Sequence, residues 1–262
     1  MLRLFVSSEL APGISVPVSP EQAHYLGRVM RRDIGAELLL FNGRDGEWRG
    51  EIAAISKNAG VVSLKEQTRV QAATPDLWLL FAPVKRVPLD QIAQKTTELG
   101  ASLLQPVKTA RTIVTRVRED RLYANAVEAA EQSERLDVPE VRPFAQLEKL
   151  VTGWPDNAPE RRLVFCDEAG DDAQERWGGP EGRALPMVEA LQAYRDKSCR
   201  WAILTGPEGG FTPAERDMLR QQEFVTPVTL GPRIMRADTA AFAAVTLWQA
   251  VLGDLGQPFT KA

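Results

Sequence analysis

From Leu77 onward, short apolar runs alternate with stretches in which apolar residues recur at helical spacing. Leu77 to Phe81, Leu103 to Val107, Leu163 to Cys166, Trp201 to Leu204 and Val225 to Leu230 are nearly unbroken apolar segments, the signature of strands buried on both faces. Between them, Pro88 to Leu99 sets Leu89, Ile92, Ala93, Thr96 and Leu99 along one side of a helix, and Gly100 follows as its C-terminal cap. Further helices are predicted over Arg118 to Arg135, Gln146 to Val151, Pro186 to Arg195, Pro213 to Gln222 and Thr239 to Leu252, with Val138 to Phe144 extended. Strand and helix in alternation predict a mainly parallel sheet covered on both faces.

The first seventy or so residues have another rhythm. Leu2 to Val6, Glu37 to Phe41, Trp48 to Ile55 and Val61 to Lys65 read as strands, with Asn42-Gly43 and Asp45-Gly46 supplying turn chemistry. One helix runs through Met30, with Ser19 as its cap and Pro20 in its first position. A small β barrel packages such strands. Thr68 to Asp76 lacks apolar periodicity and contains Pro75, so the boundary falls there, giving domains 1–72 and 73–262.

Composition removes several chemistries. His24 is the only histidine, and Cys166 and Cys199 are isolated thiols read as inert core residues. That inventory builds no Cys/His metal site and no Ser-His-Asp triad. No apolar run approaches the roughly 20 residues that span a bilayer, and the start lacks the apolar core of a signal peptide, so a cytoplasmic protein is expected. Net charge is −3, but unevenly spread: residues 82–121 carry eight Lys/Arg against four Asp/Glu. Acidity gathers instead in the polar stretch Asp167 to Glu181, with Glu168, Asp171, Asp172 and Glu175, which reads as a mobile surface loop.

Two glycine-rich stretches carry the candidate chemistry: Leu204-Thr-Gly-Pro-Glu-Gly-Gly-Phe211 and Leu230-Gly-Pro-Arg-Ile-Met-Arg-Ala-Asp-Thr-Ala240. Each follows a predicted strand and leads into a helix, where open α/β sheets bind ligands. Thr212, Pro213 and Glu215 spell a capping box for the first of these helices. Asp238 reads as the N-cap of the second, Asp being a preferred cap.

These two stretches resemble the SPOUT superfamily of methyltransferases, and within it the branch that methylates N3 of a uridine in small-subunit (16S) ribosomal RNA. Lys85 to Gly100 resembles that branch's Lys-x-x-Glu-Leu-Gly helix, and Glu128 to Arg135 its Glu-Ala-x-x-Gln-x-x-Arg helix. Asp238 stands where the family usually has Glu, and Met235 where it usually has Leu. The resemblance implies a trefoil-knotted α/β methyltransferase domain, a PUA-like RNA-binding β barrel before it, a homodimer, and 16S ribosomal RNA in an assembled small subunit as partner.

It also implies S-adenosylmethionine as cofactor, without a metal. Its expected contacts are Cys166, Asp167, Leu204, Thr205, Gly206, Glu208, Gly209, Leu230, Gly231, Ile234, Met235 and Ala240. Removing the imide proton of uracil spreads negative charge to the flanking carbonyl oxygens, which a guanidinium stabilises. Arg236 is the first candidate for that role and Arg233 the second, with a salt bridge the plainer reading of Arg233. Glu208 either orients a base edge, accepts a proton or caps the glycine turn. RNA contacts are expected from Arg3, His24, Arg28, Arg31 and Arg32, joined by Lys85 and Arg86; the plainer reading of the helix arginines is a solvated face. A ribose 2′-O-methyltransferase of the same superfamily and a non-catalytic RNA-binding protein are the competing readings.

Overall fold

The computed structural model describes residues 1–84, 87–168, 174, 176–177 and 179–257. Lys85 and Arg86, and Asp171, Asp172 and Glu175 of the acidic stretch, lie outside the described residues. The chain divides into two compact units, one of residues 1–73 with 127–138 and one of 74–126 with 139–259.

The first unit contains β1 (Arg3–Phe5), β2 (Ser15–Val18), α1 (Pro20–His24), β3 (Glu37–Phe41), β4 (Glu47–Ile55) and β5 (Gly60–Arg69). They form one sheet in the order β1-β3-β4-β5-β2, antiparallel except where β1 runs beside β3. Leu38, Leu40, Ile52, Val62 and Leu64, alternating along their strands, meet Leu4, Val16, Ala23 and Leu26 in a single core. α1 begins as its sequence dictates: Gln22 N–H donates to the Ser19 hydroxyl, and the Gln22 side chain closes the capping box.

In the second unit the elements are β6 (Leu77–Phe81), α2 (Val87–Glu98), β7 (Leu103–Lys108), α3 (Glu119–Gln132), β8 (Glu140–Val141), β9 (Ala145–Gln146), α4 (Leu147–Thr152) and α5 (Trp154–Asn157). There follow β10 (Arg161–Cys166), α6 (Gly179–Gly182), β11 (Leu185–Pro186), α7 (Met187–Gln192), β12 (Arg200–Thr205), α8 (Pro213–Arg220), β13 (Val225–Thr229) and α9 (Ala237–Val251). The last turn of α3 clusters with the first unit. The sheet is parallel throughout, in the order β11-β13-β10-β12-β6-β7-β8, with β9 also beside β7. Leu80, Leu163, Phe165, Ala202 and Leu204 pack on one face against Leu147, Val151 and Trp154 of α4 and α5 and Leu219 of α8. The intervening residues Leu79, Phe81 and Ile203 are buried on the other, where α2, α7 and α9 pack. α9 buries Ala237, Ala241, Ala244, Val245 and Trp248, and Gln249 Nε2 ties it to α2 by donating to the Leu99 carbonyl at 2.9 Å.

Several expectations need correction. The helix opening at Pro20 does not run to Met30 as an α-helix: after His24 it widens into a π turn, Tyr25–Val29, in which Met30 N–H donates to the Tyr25 carbonyl. Arg31 then leaves the helix with φ 50°, so only Arg28 of the three arginines lies on a helical surface. Asp238 is not the N-cap of α9. The extended conformation reaches Arg236 (ψ 155°), which takes the cap, and Asp238 accepts instead from Thr239 N–H in the first turn. The strand β2 escaped prediction because Pro17 interrupts it, which an edge strand tolerates.

Arg3 is the clearest correction. It is 6% exposed, its Nε donates to Glu47 Oε2 at 2.7 Å, and its other nitrogens donate to the carbonyls of Ala130, Glu131 and Arg135. The guanidinium lies 4.4 Å from the Phe41 ring centroid. It therefore caps the carboxyl end of α3, satisfying carbonyls that a helix end leaves without partners, and is too deeply buried to meet an RNA phosphate. Arg3→Ala would strand a buried carboxylate and those carbonyls. The expected loss, read from urea unfolding, is about 3–5 kcal/mol.

Candidate methyl-transfer site at the carboxyl edge of the parallel sheet

A recess opens where β13, β10 and β12, three adjacent parallel strands, end. It is lined by Cys166, Asp167 and Glu168 after β10, Gly206, Pro207, Gly210 and Phe211 after β12, and Val228 to Gly231, Arg233, Met235, Ala237 and Ala240 from β13 into α9. The two glycine stretches do not follow neighbouring strands, because β10 lies between them. Cys166 and Asp167 thus form the floor between the turns.

The first turn is shaped by two glycines with different jobs. A Cβ on Gly206 would lie 2.6 Å from the Phe211 ring, which stacks edge-on against Phe165 with centroids 4.9 Å apart. Only a bare Cα lets that ring close the turn. Gly210 has φ 66° and Gly231 φ 119°, and a Cβ on either would meet nothing within 4 Å. Their backbone is naked to the open space, as close approach of a ligand requires. Behind the turn, Thr212 caps α8 by accepting from Glu215 N–H, and Glu215 Oε2 accepts in return from Thr212 N–H at 2.9 Å.

The floor is held from below. The Asp167 carboxylate, fully enclosed, lies 3.1 Å from Arg216 Nε and 2.6 Å from Arg220 Nη2, both on α8. Arg216 also donates to the Glu168 carbonyl, and Arg220 to that of Gly182 at 3.0 Å. Asp167 is therefore a brace whose carboxylate is already committed. Burial, aided by the Asp167 charge, pushes the Cys166 thiol up to about 12. Desolvation likewise raises Glu168, opposed by the charge of Arg216.

Of the residues expected at the cofactor, Cys166, Asp167, Gly206, Leu230, Gly231, Met235 and Ala240 come together here. Leu204 and Thr205 do not line the recess, being strand residues 0% and 1% exposed, and neither does Ile234, which is 85% exposed. Phe211, Val228 and Thr229 line the wall without having been singled out. Arg233 is on the wall; Arg236 is exposed at the start of α9. Glu208 and Gly209 face a second recess on the other side of the turn, with Pro83, Val84, Pro88, Arg111, Ile113 and Val114. There Arg111 Nη1 donates to the Gly209 carbonyl at 2.7 Å. In the first unit, His24, Arg28, Arg31 and Arg32 are all exposed.

Two measurements check this geometry. Gly206→Ala must displace Phe211 from Phe165, and a melting curve should show a loss of about 1–3 kcal/mol. With its thiol pKa raised by burial, Cys166 stays protonated at about pH 8. Mass spectrometry should find it unalkylated by iodoacetamide in the folded protein and labelled once urea unfolds it. The raised value also makes Cys166 a source of stability that is present below the ordinary thiol range and lost as pH climbs towards about 12.

Residues 72–249 match the family described as RNA methyltransferase domain, and residues 18–65 the one described as RNA methyltransferase PUA domain. The chain is 31% identical over 244 residues to the ribosomal RNA small subunit methyltransferase E of Rickettsia conorii, covering 93% of each. A methyltransferase of Legionella pneumophila, solved in complex with the bound cofactor SAM, superposes with a TM-score of 0.79 at 26% identity, over 95% of this chain and 97% of that one. The fold is shared too with a ribosomal RNA small subunit methyltransferase E of Neisseria gonorrhoeae bound to S-adenosyl methionine, at TM-score 0.78 and 24% identity, over 97% and 99% of the two chains. By extent of match and by identity along nearly its whole length, this chain belongs to the RNA methyltransferase family that includes the ribosomal RNA small subunit methyltransferase E proteins.

Proposed function

We propose that this chain transfers the methyl group of S-adenosylmethionine to N3 of a uridine in 16S ribosomal RNA of the small subunit. The observation that carries the reading is the recess at the ends of β13, β10 and β12, where main chain at Gly210 and Gly231 lies open beside apolar Phe211, Val228, Met235 and Ala237. Such a cradle suits a molecule with a flat heterocycle and a polar tail. Relatives named for small-subunit ribosomal RNA methylation supply the substrate class.

When bound, the cofactor supplies an electrophilic methyl on a sulfonium. The chain supplies position and electrostatics. Main-chain groups of Gly206, Leu230 and Gly231 would hold the cofactor, and Met235 and Ala240 would supply its apolar contacts. Arg233, on the wall of the recess, stabilises the charge that develops on the uracil oxygens as N3 gives up its proton to solvent, with Arg236, exposed at the start of α9, as the second guanidinium. Residues 73–262 are read as the trefoil-knotted SPOUT domain and residues 1–72 as a PUA-like barrel. His24, Arg28, Arg31 and Arg32 of that barrel meet RNA phosphates. The working form is a cytoplasmic homodimer that acts on the assembled subunit.

Small subunits from a strain lacking the modification, incubated with the purified protein and labelled cofactor, should acquire label in 3-methyluridine on nuclease digestion and mass spectrometry. Label on a ribose oxygen would make it the 2′-O-methylating relative. An absence of cofactor binding by calorimetry would leave only a binding protein.

A further inference from the structure

The amino edge of the parallel sheet carries a basic and aromatic recess of its own. It lies where the neighbouring strands β6 and β12 begin, with Trp201 beside Leu77. Asp76 approaches from before β6, Tyr194, Arg195, Lys197 and Arg200 from the turn between α7 and β12, and Trp248 from the last turns of α9. β12 runs from Arg200 at this edge to Thr205 at the other. At about 3.3 Å per residue, its length sets this recess about 17 Å from the carboxyl ends of the strands.

Trp201 and Trp248 are 2% and 4% exposed and form the interior. Tyr194 stands edge-on to Trp201, with centroids 5.0 Å apart. Lys197 Nζ lies 4.8 Å from the Tyr194 centroid, a cation–π contact that holds the ammonium beside the recess. Trp248 supplies the telling group: its indole Nε1–H is buried and meets no acceptor among the described residues. A buried donor without a partner costs about 1–3 kcal/mol, and nearly all such groups in folded proteins have one.

The charged groups point the same way. Arg195, Lys197 and Arg200 are exposed, and among the described residues neither Arg195 nor Lys197 has an ion-pair partner. Asp76, the acid of the lining, is already shared, 2.7 Å from Arg161 Nη2 and 4.0 Å from Arg200 Nε. Asp196, in the same turn, does not line the recess. The uncommitted polar groups are therefore donors, and two of them are cationic.

We propose that this recess is a phosphate site: it takes a phosphate ester, as an RNA phosphodiester or a free nucleotide, whose oxygens accept from Arg195, Lys197 and the Trp248 indole N–H. A phosphodiester offers acceptors and no donor, which matches that set, and charge-assisted bonds to it are the strong kind. Contacts of this sort position a nucleic acid without reading its sequence. The site stands at the other edge of the sheet from the methyl-transfer recess, so it holds or fails separately from that reading. Cations after the carboxyl end of α7 also complement the helix dipole, but that role alone leaves Trp248 without an acceptor.

The test titrates full-length, nitrogen-15-labelled protein with inorganic phosphate, uridine 5′-monophosphate and a single-stranded uridine pentanucleotide. The readout is the indole N–H resonance of Trp248, assigned by through-bond correlation. A saturable shift is expected, weakened roughly tenfold or more when Arg195→Ala and Lys197→Ala are combined, while cofactor affinity by calorimetry stays within about twofold. Both replaced side chains are exposed, and a melting curve checks that the variant is folded. A shift with phosphate and the monophosphate assigns the site to free phosphate esters; a shift with the pentanucleotide alone assigns it to the RNA backbone. No shift with any of these probes overturns the inference. So does a shift that persists in the double variant, which would leave the cations as helix-end complements. A resonance that follows protein concentration instead of ligand makes the recess a contact between copies and overturns it as well.

Discussion

The carboxylate of Asp167 sits at the end of β10, out of reach of water, between the guanidinium groups of Arg216 and Arg220. Both arginines belong to α8, whose first residues follow the glycine turn of β12. One buried charge cluster thus fixes the floor of the first recess relative to the helix that follows its wall. Such a cluster is weak as a source of net stability, since desolvation of the ions consumes most of the Coulombic gain. Its value is geometric: Asp167 is the shared member, and removing it leaves two buried guanidinium groups without their common counter-charge. The open main chain at Gly210 and Gly231 depends on that rigidity, because a naked backbone binds selectively only if it cannot collapse into its own cavity.

The glycine turn after β12 is used on both sides. Gly206 gives its missing side chain to Phe211, Gly209 to the aliphatic stem of Arg111, and Gly210 to the first recess. A stretch that reads in sequence as a single flexible loop is therefore a partition, packed by an aromatic ring on one side and an arginine on the other. Glycine here serves close approach more than mobility.

Much of this was legible in the chain. The parallel strands β6, β7, β10, β12 and β13 were visible because burial on both faces forces unbroken apolar runs, and α8 because Thr212, Pro213 and Glu215 spell its start. Other features were hidden for physical reasons. Nothing in Arg3 itself tells a phosphate-binding arginine from a buried helix cap; the carbonyls it caps lie more than a hundred residues away. Arg111 is likewise 98 residues from Gly209, in a polar segment without periodicity. Asp238 has the chemistry of a cap, but extended backbone through Arg236 decided where α9 begins. The motif could not say which side of the turn each residue faces, and so grouped Glu208 and Gly209, which line the second recess, with Gly206, which lines the first.

The π turn at Tyr25–Val29 carries one residue more than an α-helical turn would hold. Deleting a single residue there would restore regular hydrogen bonding, yet it would rotate everything downstream by about 100° around the axis. Leu26, now 1% exposed in the core, and the arginines that follow could no longer keep their present sides at once. The irregularity is therefore a phase adjuster: it lets one short segment serve an interior and a charged exterior whose spacings do not match. Length in this segment should be far less tolerant of change than residue type.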